Sequence, residues 1–398
     1  MPWEQSSPMD QKTQFVSEYL RDTISFTELC DRYSISRKTG YKWIDRYLTD
    51  GPAGLADRSR RPHSSPDETP EPLRLAIIEA RRRHPSWGGK KLLKHLKSQD
   101  PQADWPSRST ACEILLRAGL VRQRTRRRKP GHPGKPISIA TAPNDLWCVD
   151  FKGQFKTRDG QYCYPLTVTD RYSRYLLGCR ALLSTETEGA KATFLQLFKK
   201  YGLPQAIRSD NGAPFASTAL ARLSKLSVWW IRLGIRPELI EPGKPQQNGQ
   251  HERMHRVLKA ETARPPAANL TQQQRWFDRF CHEYNHLRPH EGIDLQTPAS
   301  FYAPSSRPMP AVPPSLVYPA HFETRLVSKN SGIRWRDKWV AVSTTCAGLY
   351  VGLEEIDHGL WDVYLGPVKL GRLFEKTLRI EDHLGRLKRI KVSPMSPD

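Results

Sequence analysis

The sequence predicts a multidomain chain: an α-helical N-terminal region, an α/β core, and a small all-β barrel at the C-terminal end. Three observations carry that expectation. Apolar residues recur at helical spacing as far as Gly119, alternate with polar residues from Trp147 onward, and after Phe301 fall into short runs divided by turn residues. At 398 residues the chain also exceeds what one compact core accommodates.

The first segment, residues 1–60, reads as three short helices. Phe15, Val16, Tyr19 and Leu20 repeat at helical spacing, and Ser25 followed by Glu28 is a capping-box start for the second helix. Ser36 can cap a third helix carrying Arg37, Lys38, Tyr41, Lys42 and Arg46. This is a helix-turn-helix pattern, with Arg37, Lys38 and Lys42 on the exposed face of a recognition helix. A small bundle with a solvated charged face is the competing reading. Beyond a linker at Pro62 to Pro72, residues 70–122 read as a second helical DNA-binding domain. Leu73, Ala76, Ile77 and Ala80 mark one helix, Leu92, Leu93 and Leu96 another, and a third runs to a glycine stop at Gly119. Residues 123–140 form a basic linker in which Arg126, Arg127, Arg128 and Lys129 precede a Pro- and Gly-rich stretch. Such a run is ordinarily a solvated arm, and on a DNA-binding chain it lies along phosphates.

The core spans residues 141–303. Trp147, Val149 and Phe151 alternate with Cys148, Asp150 and Lys152; Tyr164, Leu166 and Val168 alternate in the next strand, and Tyr175 to Leu182 gives a third. A helix from Thr187 to Tyr201, a strand from Ala206 to Ser209, a helix from Ala219 to Leu233, a strand near Ile235 to Ile240 and a helix around Glu252 follow. Antiparallel strands first and helix-linked strands later suit a mixed sheet covered by helices. After a proline-rich hinge at Pro304 to Pro314, residues 315–395 carry the short apolar runs of the barrel.

Composition narrows the function. There are 63 Lys and Arg against 41 Asp and Glu, a net charge of +22, which calls for a polyanionic partner. The sequence has no run of eighteen apolar residues and no signal-peptide pattern at its start, so a cytoplasmic protein without membrane attachment is expected. The seven cysteines are scattered with no CxxC pair, which favours structural thiols. Neither Gly88, Gly89, Lys90 nor Gly134, Lys135 has the spacing of a nucleotide phosphate loop, so chemistry without a nucleotide is expected.

Three acids sit where core elements end: Asp150 in a strand, Asp210 after one, and Glu252 on a helix opened by Pro245, Asn248 and Gly249. Converging carboxylates would hold two magnesium ions for phosphoryl transfer, although spacing alone does not show convergence. Their surroundings do more. WCVDFKG, IRSDNGAPF, EPGKPQQNGQHERMHRVLK and EYNHLRPHEGIDLQTPASFY occur in that order. Over roughly residues 140–305 the chain closely resembles the integrase core of bacterial insertion-sequence transposases and retroviral integrases, the DDE superfamily.

The resemblance implies a ribonuclease-H-like core with Asp150, Asp210 and Glu252 as both catalytic and metal-binding residues, Mg2+ as cofactor with Mn2+ as a substitute, and an SH3-like C-terminal barrel. It implies DNA as partner, both as terminal inverted repeats and as target, and a homo-oligomer assembled on it. The N-terminal His and Cys zinc domain of retroviral integrases has no counterpart in this sequence, so the bacterial branch fits better. Asp210 and Glu252 lie further apart than in the retroviral relatives, which leaves Glu241 as a rival third ligand. On the helix of Glu252, His255, Arg256 and Lys259 follow at three, four and seven positions and share its face, where Arg256 and Lys259 are expected to bind phosphates. Asp170 is expected to brace a turn, and His286, Arg288, Pro289 and His290 to be structural. The competing functions are a DNA-binding regulator that does not cut, and a nuclease that only hydrolyses.

Overall fold

The computed structural model describes residues 7–58, 68–121, 138–241 and 249–382. The basic run Arg126, Arg127, Arg128 and Lys129 lies outside the described residues, as do Pro245 and Asn248. The chain divides into two compact units, residues 1–69 and 70–398.

In the first unit, α1 (Pro8–Arg21), α2 (Phe26–Arg32) and α3 (Arg37–Asp50) start at Ser7, Ser25 and Ser36, each of which accepts a backbone N–H of the first turn. Phe15, Val16, Leu29, Cys30, Trp43, Ile44 and Leu55 close the core. Gly40 permits the tight crossing of α3: a Cβ there would stand 2.8 Å from Cys30 Sγ and 2.9 Å from Phe26 Cζ. Burying Trp43 and Ile44 orients the helix, and Arg37, Lys38 and Lys42 are consequently exposed.

The second unit begins with α4 (Glu71–Arg83), α5 (Gly89–Gln99) and α6 (Arg108–Arg117), packed around Ile77, Trp87, Leu92, Leu96 and Leu115. Strands β1 (Leu146–Phe151), β2 (Phe155–Lys156), β3 (Tyr162–Asp170) and β4 (Leu176–Leu182) follow, then α7 (Thr187–Tyr201), β5 (Ala206–Ser209), α8 (Lys225–Arg232), β6 (Arg236–Leu239), α9 (Gly249–Thr262) and α10 (Leu270–His282). The main sheet runs β4-β3-β1-β5-β6, with β2 paired to the start of β3. The β4, β3 and β1 pairings are antiparallel, and those of β1, β5 and β6 are parallel.

Alternation along the strands separates two cores. Trp147, Val149, Phe151, Leu166 and Val168 pack with Phe194, Phe198 and Trp230 on one face. Cys163, Leu176 and Cys179 pack with Met254, Leu258 and Phe277 of α9 and α10 on the other. Each fully buried aromatic or aliphatic side chain contributes about 1.5–3 kcal/mol. The helix expected from Ala219 begins later. Ala221 and Arg222 take left-handed backbone angles in a 3-10 turn, and Ser224 then caps α8 through Ser227 N–H.

The C-terminal region is β7 (Glu323–Leu326), β8 (Gly332–Trp335), β9 (Lys338–Ala341), β10 (Tyr350–Asp357), β11 (Leu360–Leu365), β12 (Val368–Phe374) and β13 (Arg379–Asp382). The expected closed barrel is not formed among the described residues. Five strands make an antiparallel sheet, β13-β12-β11-β10-β7, and β8 and β9 pair only with each other. The hairpin instead buries Ile333, Trp335 and Val340 against Val351, Leu353, Trp361 and Val363. Side-chain packing thus covers the sheet where strand pairing was expected to close it. Ala221, Leu223, Val228 and Ile231 join the same cluster, so this sheet is packed against the α8 side of the core.

Candidate active site at the ends of two central strands

Strand register positions the two aspartates. Cys148 of β1 is level with Arg208 of β5 in a parallel pair, so Asp150 and Asp210, each two residues further, reach the same end and the same face. That face is the one covered by α9. Burial, and next the charge of Asp210, push the Asp150 carboxyl up to about 8. Burial also raises Asp210, against one hydrogen bond from Gly212 N–H at 3.2 Å. Asn211 fixes this turn by donating to Ile240 O at 2.8 Å and accepting from Arg222 at 3.0 Å. Beneath it, Arg208 is fully buried, and its Nε donates to Glu238 of β6 at 2.7 Å.

Glu252 stands in the first turn of α9, exposed to solvent, and its charge contributes to raising Asp150. Glu241, two residues beyond β6, is also exposed. Among the described residues no group of three His, Cys, Asp or Glu side chains is close enough to hold a metal ion. The structure therefore brings Asp150 and Asp210 together and leaves Glu252 beside them. Two level carboxylates, both raised by burial, form a donor pair whose repulsion a divalent cation relieves, and in this respect the residues fit Mg2+ or Mn2+.

Two histidines complete the corner. Glu252, Arg256 and Lys259 are exposed or half-buried on α9, whereas His255 turns inward with His251. Both Nε2 atoms lie 2.6 Å from Thr167 Oγ1, which donates to Asp150 O at 3.0 Å. A hydroxyl has one proton to give, so both imidazoles donate to it from Nε2. His251 Nδ1 then accepts from Thr169 Oγ1 at 3.0 Å, and His255 Nδ1 presents a lone pair 3.7 Å from Asp150 Oδ2. Burial keeps both rings neutral, holding His251 down to about 3. Spacing alone places His255 on the face of Arg256 and Lys259 and assigns His251 no role. The i, i+4 pair His251 and His255, opposite alternating Thr167 and Thr169, was the available signal.

Of the remaining expected residues, Arg256 is exposed, and Lys259 lines a cavity of about 230 Å³ with Lys152 and Arg264. Arg37, Lys38 and Lys42 belong to the first unit. Asp170 accepts from Asn144 N–H and Ser173 N–H, both at 2.8 Å, bracing the β3–β4 turn. Asn285 clamps the backbone of Leu176 through both its amide atoms, Arg288 pairs with Glu261 at 3.2 Å, and His290 is buried beside Tyr284.

An integrase core domain model matches residues 140–245 and a second integrase core domain model matches 233–298. A helix-turn-helix domain matches 11–63 and a homeodomain-like domain 39–115. The chain is 25% identical over 257 residues to an uncharacterised 39.2 kDa protein of insertion element IS476 from Xanthomonas euvesicatoria, covering 63% of this chain and 70% of that one. It is 24% identical over 257 residues to an uncharacterised 31.7 kDa protein of insertion element IS407 from Burkholderia multivorans, covering 60% and 84%. The Gag-Pol polyprotein of baboon endogenous virus is 28% identical over 190 residues, 48% of this chain and 10% of that one. Integrase-core matches thus run unbroken from 140 to 298, over the segment that levels Asp150 with Asp210, and the similarity to proteins of bacterial insertion elements extends beyond that segment.

Proposed function

We propose that the chain binds the terminal inverted repeats of a mobile element, hydrolyses DNA at the element's ends, and joins the resulting 3′-hydroxyls to target DNA by transesterification. The observation that carries this reading is the level placement of Asp150 and Asp210 inside an integrase-core segment, with the charge of Glu252 bearing on Asp150. Asp150, Asp210 and Glu252 would hold Mg2+, or Mn2+ in its place, which supplies charge to activate the attacking oxygen and stabilise the leaving one. Thr167, held by His251 and His255, fixes the backbone carbonyl of Asp150 and so the position of its carboxyl. Arg256 and Lys259 orient phosphates beside the carboxylates, and Arg126, Arg127, Arg128 and Lys129 lie along the duplex. Arg37, Lys38 and Lys42 read the repeats in the major groove. Joining exchanges one phosphodiester for another, so it draws on no nucleotide. Two ends held together require a homo-oligomer on DNA, and the setting is cytoplasmic. Among the described residues no helix is long and apolar enough to cross a membrane.

The test is cleavage and joining of labelled element ends. Asp150→Asn, Asp210→Asn and Glu252→Gln should each retain DNA binding and lose at least about a hundredfold in both steps, because each removes an anionic metal ligand. Glu241→Gln should remain active. Loss of activity in Glu241→Gln with retention in Glu252→Gln would reassign the third ligand. Cleavage without joining would make the protein a nuclease, and binding without either would make it a regulator.

A further inference from the structure

α9 has a second flank. Counting about 100° per residue, Arg253, Val257 and Gln250 lie about 100°, 140° and 160° around the helix from Glu252. They line a cavity of about 410 Å³. Four cations from four separate segments meet there: Lys91 of α5, Arg174 of the β3–β4 turn, Arg253 of α9, and Arg288 beyond α10.

Their charge is poorly compensated. Arg288 is paired with Glu261 and Ser86, and both oxygens of Asp170 are occupied by Asn144 and Ser173. Among the described residues, Lys91, Arg174 and Arg253 have no side-chain hydrogen bond or ion pair, although Glu291 at the rim is a nearby acid. Burial, and next the charge of Arg288, hold the Lys91 ammonium down to about 8. Gly292 leaves room for the Arg174 guanidinium, with which a Cβ at that position would collide. Cations gathered from distant segments, three of them without a side-chain hydrogen bond or ion pair, are suited to an anion supplied from outside.

We propose that this cavity is a phosphate subsite that seats a backbone phosphodiester of DNA, bridging the second helical region and the integrase core across α9. Exposed Arg253 adjoins Glu252, so a strand passing Glu252 continues over Arg253 into the cavity. The chemistry is that of a phosphate, and the source is DNA rather than free phosphate. The inference rests on the reading that the chain acts on DNA, and its test separates the two.

The experiment is the salt dependence of binding by the full chain to a fluorescein-labelled duplex, followed by anisotropy. Lys91→Gln and Arg174→Gln should each lower the slope of log K against log salt by up to about 0.9, the share of the one phosphate they hold together, while Lys91→Arg keeps it. Gly292→Ala, which preserves every charge and displaces Arg174, should also lower the slope; it serves if a charge variant fails to fold. Wild-type binding with unchanged slopes in all variants overturns the subsite and leaves the DNA reading intact. Absence of salt-dependent duplex binding by the wild type overturns the DNA reading itself. If inorganic phosphate at matched ionic strength stabilises the wild type but not Lys91→Gln, while the duplex slope is unchanged, the cavity is a free-phosphate site and the proposal falls.

Discussion

Removing the charge of Asp150 should stabilise the metal-free protein while destroying its response to metal. The carboxyl is raised from 3.8 to about 8, by burial first and by Asp210 second. Its folded form therefore holds a proton that the unfolded chain releases. Below pH 3.8 both states are protonated and the group is neutral in its effect; as pH rises toward about 8 the fold loses stability relative to the unfolded chain. At about 1.4 kcal/mol per pH unit, the penalty at pH 7 has a ceiling of about 4 kcal/mol. The side chain keeps 24% of its surface exposed, so water reduces this. Asp150→Asn should then gain about 1–3 kcal/mol, a rise of a few degrees in Tm for a unit of this size. The introduced amide can also donate toward the lone pair of His255 Nδ1. The assay is thermal unfolding in EDTA at pH 4, 7 and 8, repeated with millimolar Mg2+. The gain should vanish near pH 4, and Mg2+ should stabilise only the wild type. A variant less stable than wild type in EDTA at pH 8 would refute the account of a carboxyl penalised by burial and by its neighbour Asp210.

Two further outcomes follow from close contacts. Gly212→Ala places a Cβ 3.1 Å from Asp210 Oδ2, and should cost at least about tenfold in end cleavage at unchanged duplex affinity, measured on labelled ends. Gly40→Val should overfill the crossing of α3 with α2, costing about 1–3 kcal/mol and with it preference for the element end over random DNA, checked by unfolding and by competition binding.

How far the sequence could be read depended on which physical signal governed each element. Capping residues and burial period set α2, α3, α7 and β5, and these elements were legible to within a residue or two. The start of α8 was not, because apolar spacing ran on through Ala219 to Leu223 while the left-handed residues Ala221 and Arg222 broke the helix before Ser224 recapped it. The C-terminal strands were legible as strands. Their closure was not, since whether a hairpin pairs with a sheet edge or lies across it through Trp335 and Val340 depends on tertiary packing.

α9 shows the same division within the site. Spacing grouped Glu252, Arg256 and Lys259, which span about 60° around the helix. It also included His255, which lies about 60° from Glu252 and about 100° from Arg256, toward the side where Met254 and Leu258 are buried. On that side an imidazole must be satisfied by the sheet, and only the strand opposite decides how. Thr167 and Thr169 both face α9 because Leu166 and Val168 face the other core, so β3 offers two hydroxyls in step with His251 and His255. The alternation that makes β3 a strand thus also supplies the partners of the histidines. Through the carbonyl of Asp150 it couples the packing of α9 to the position of the carboxylate, so a change at Thr167 should be felt at Asp150 before it is felt in the fold.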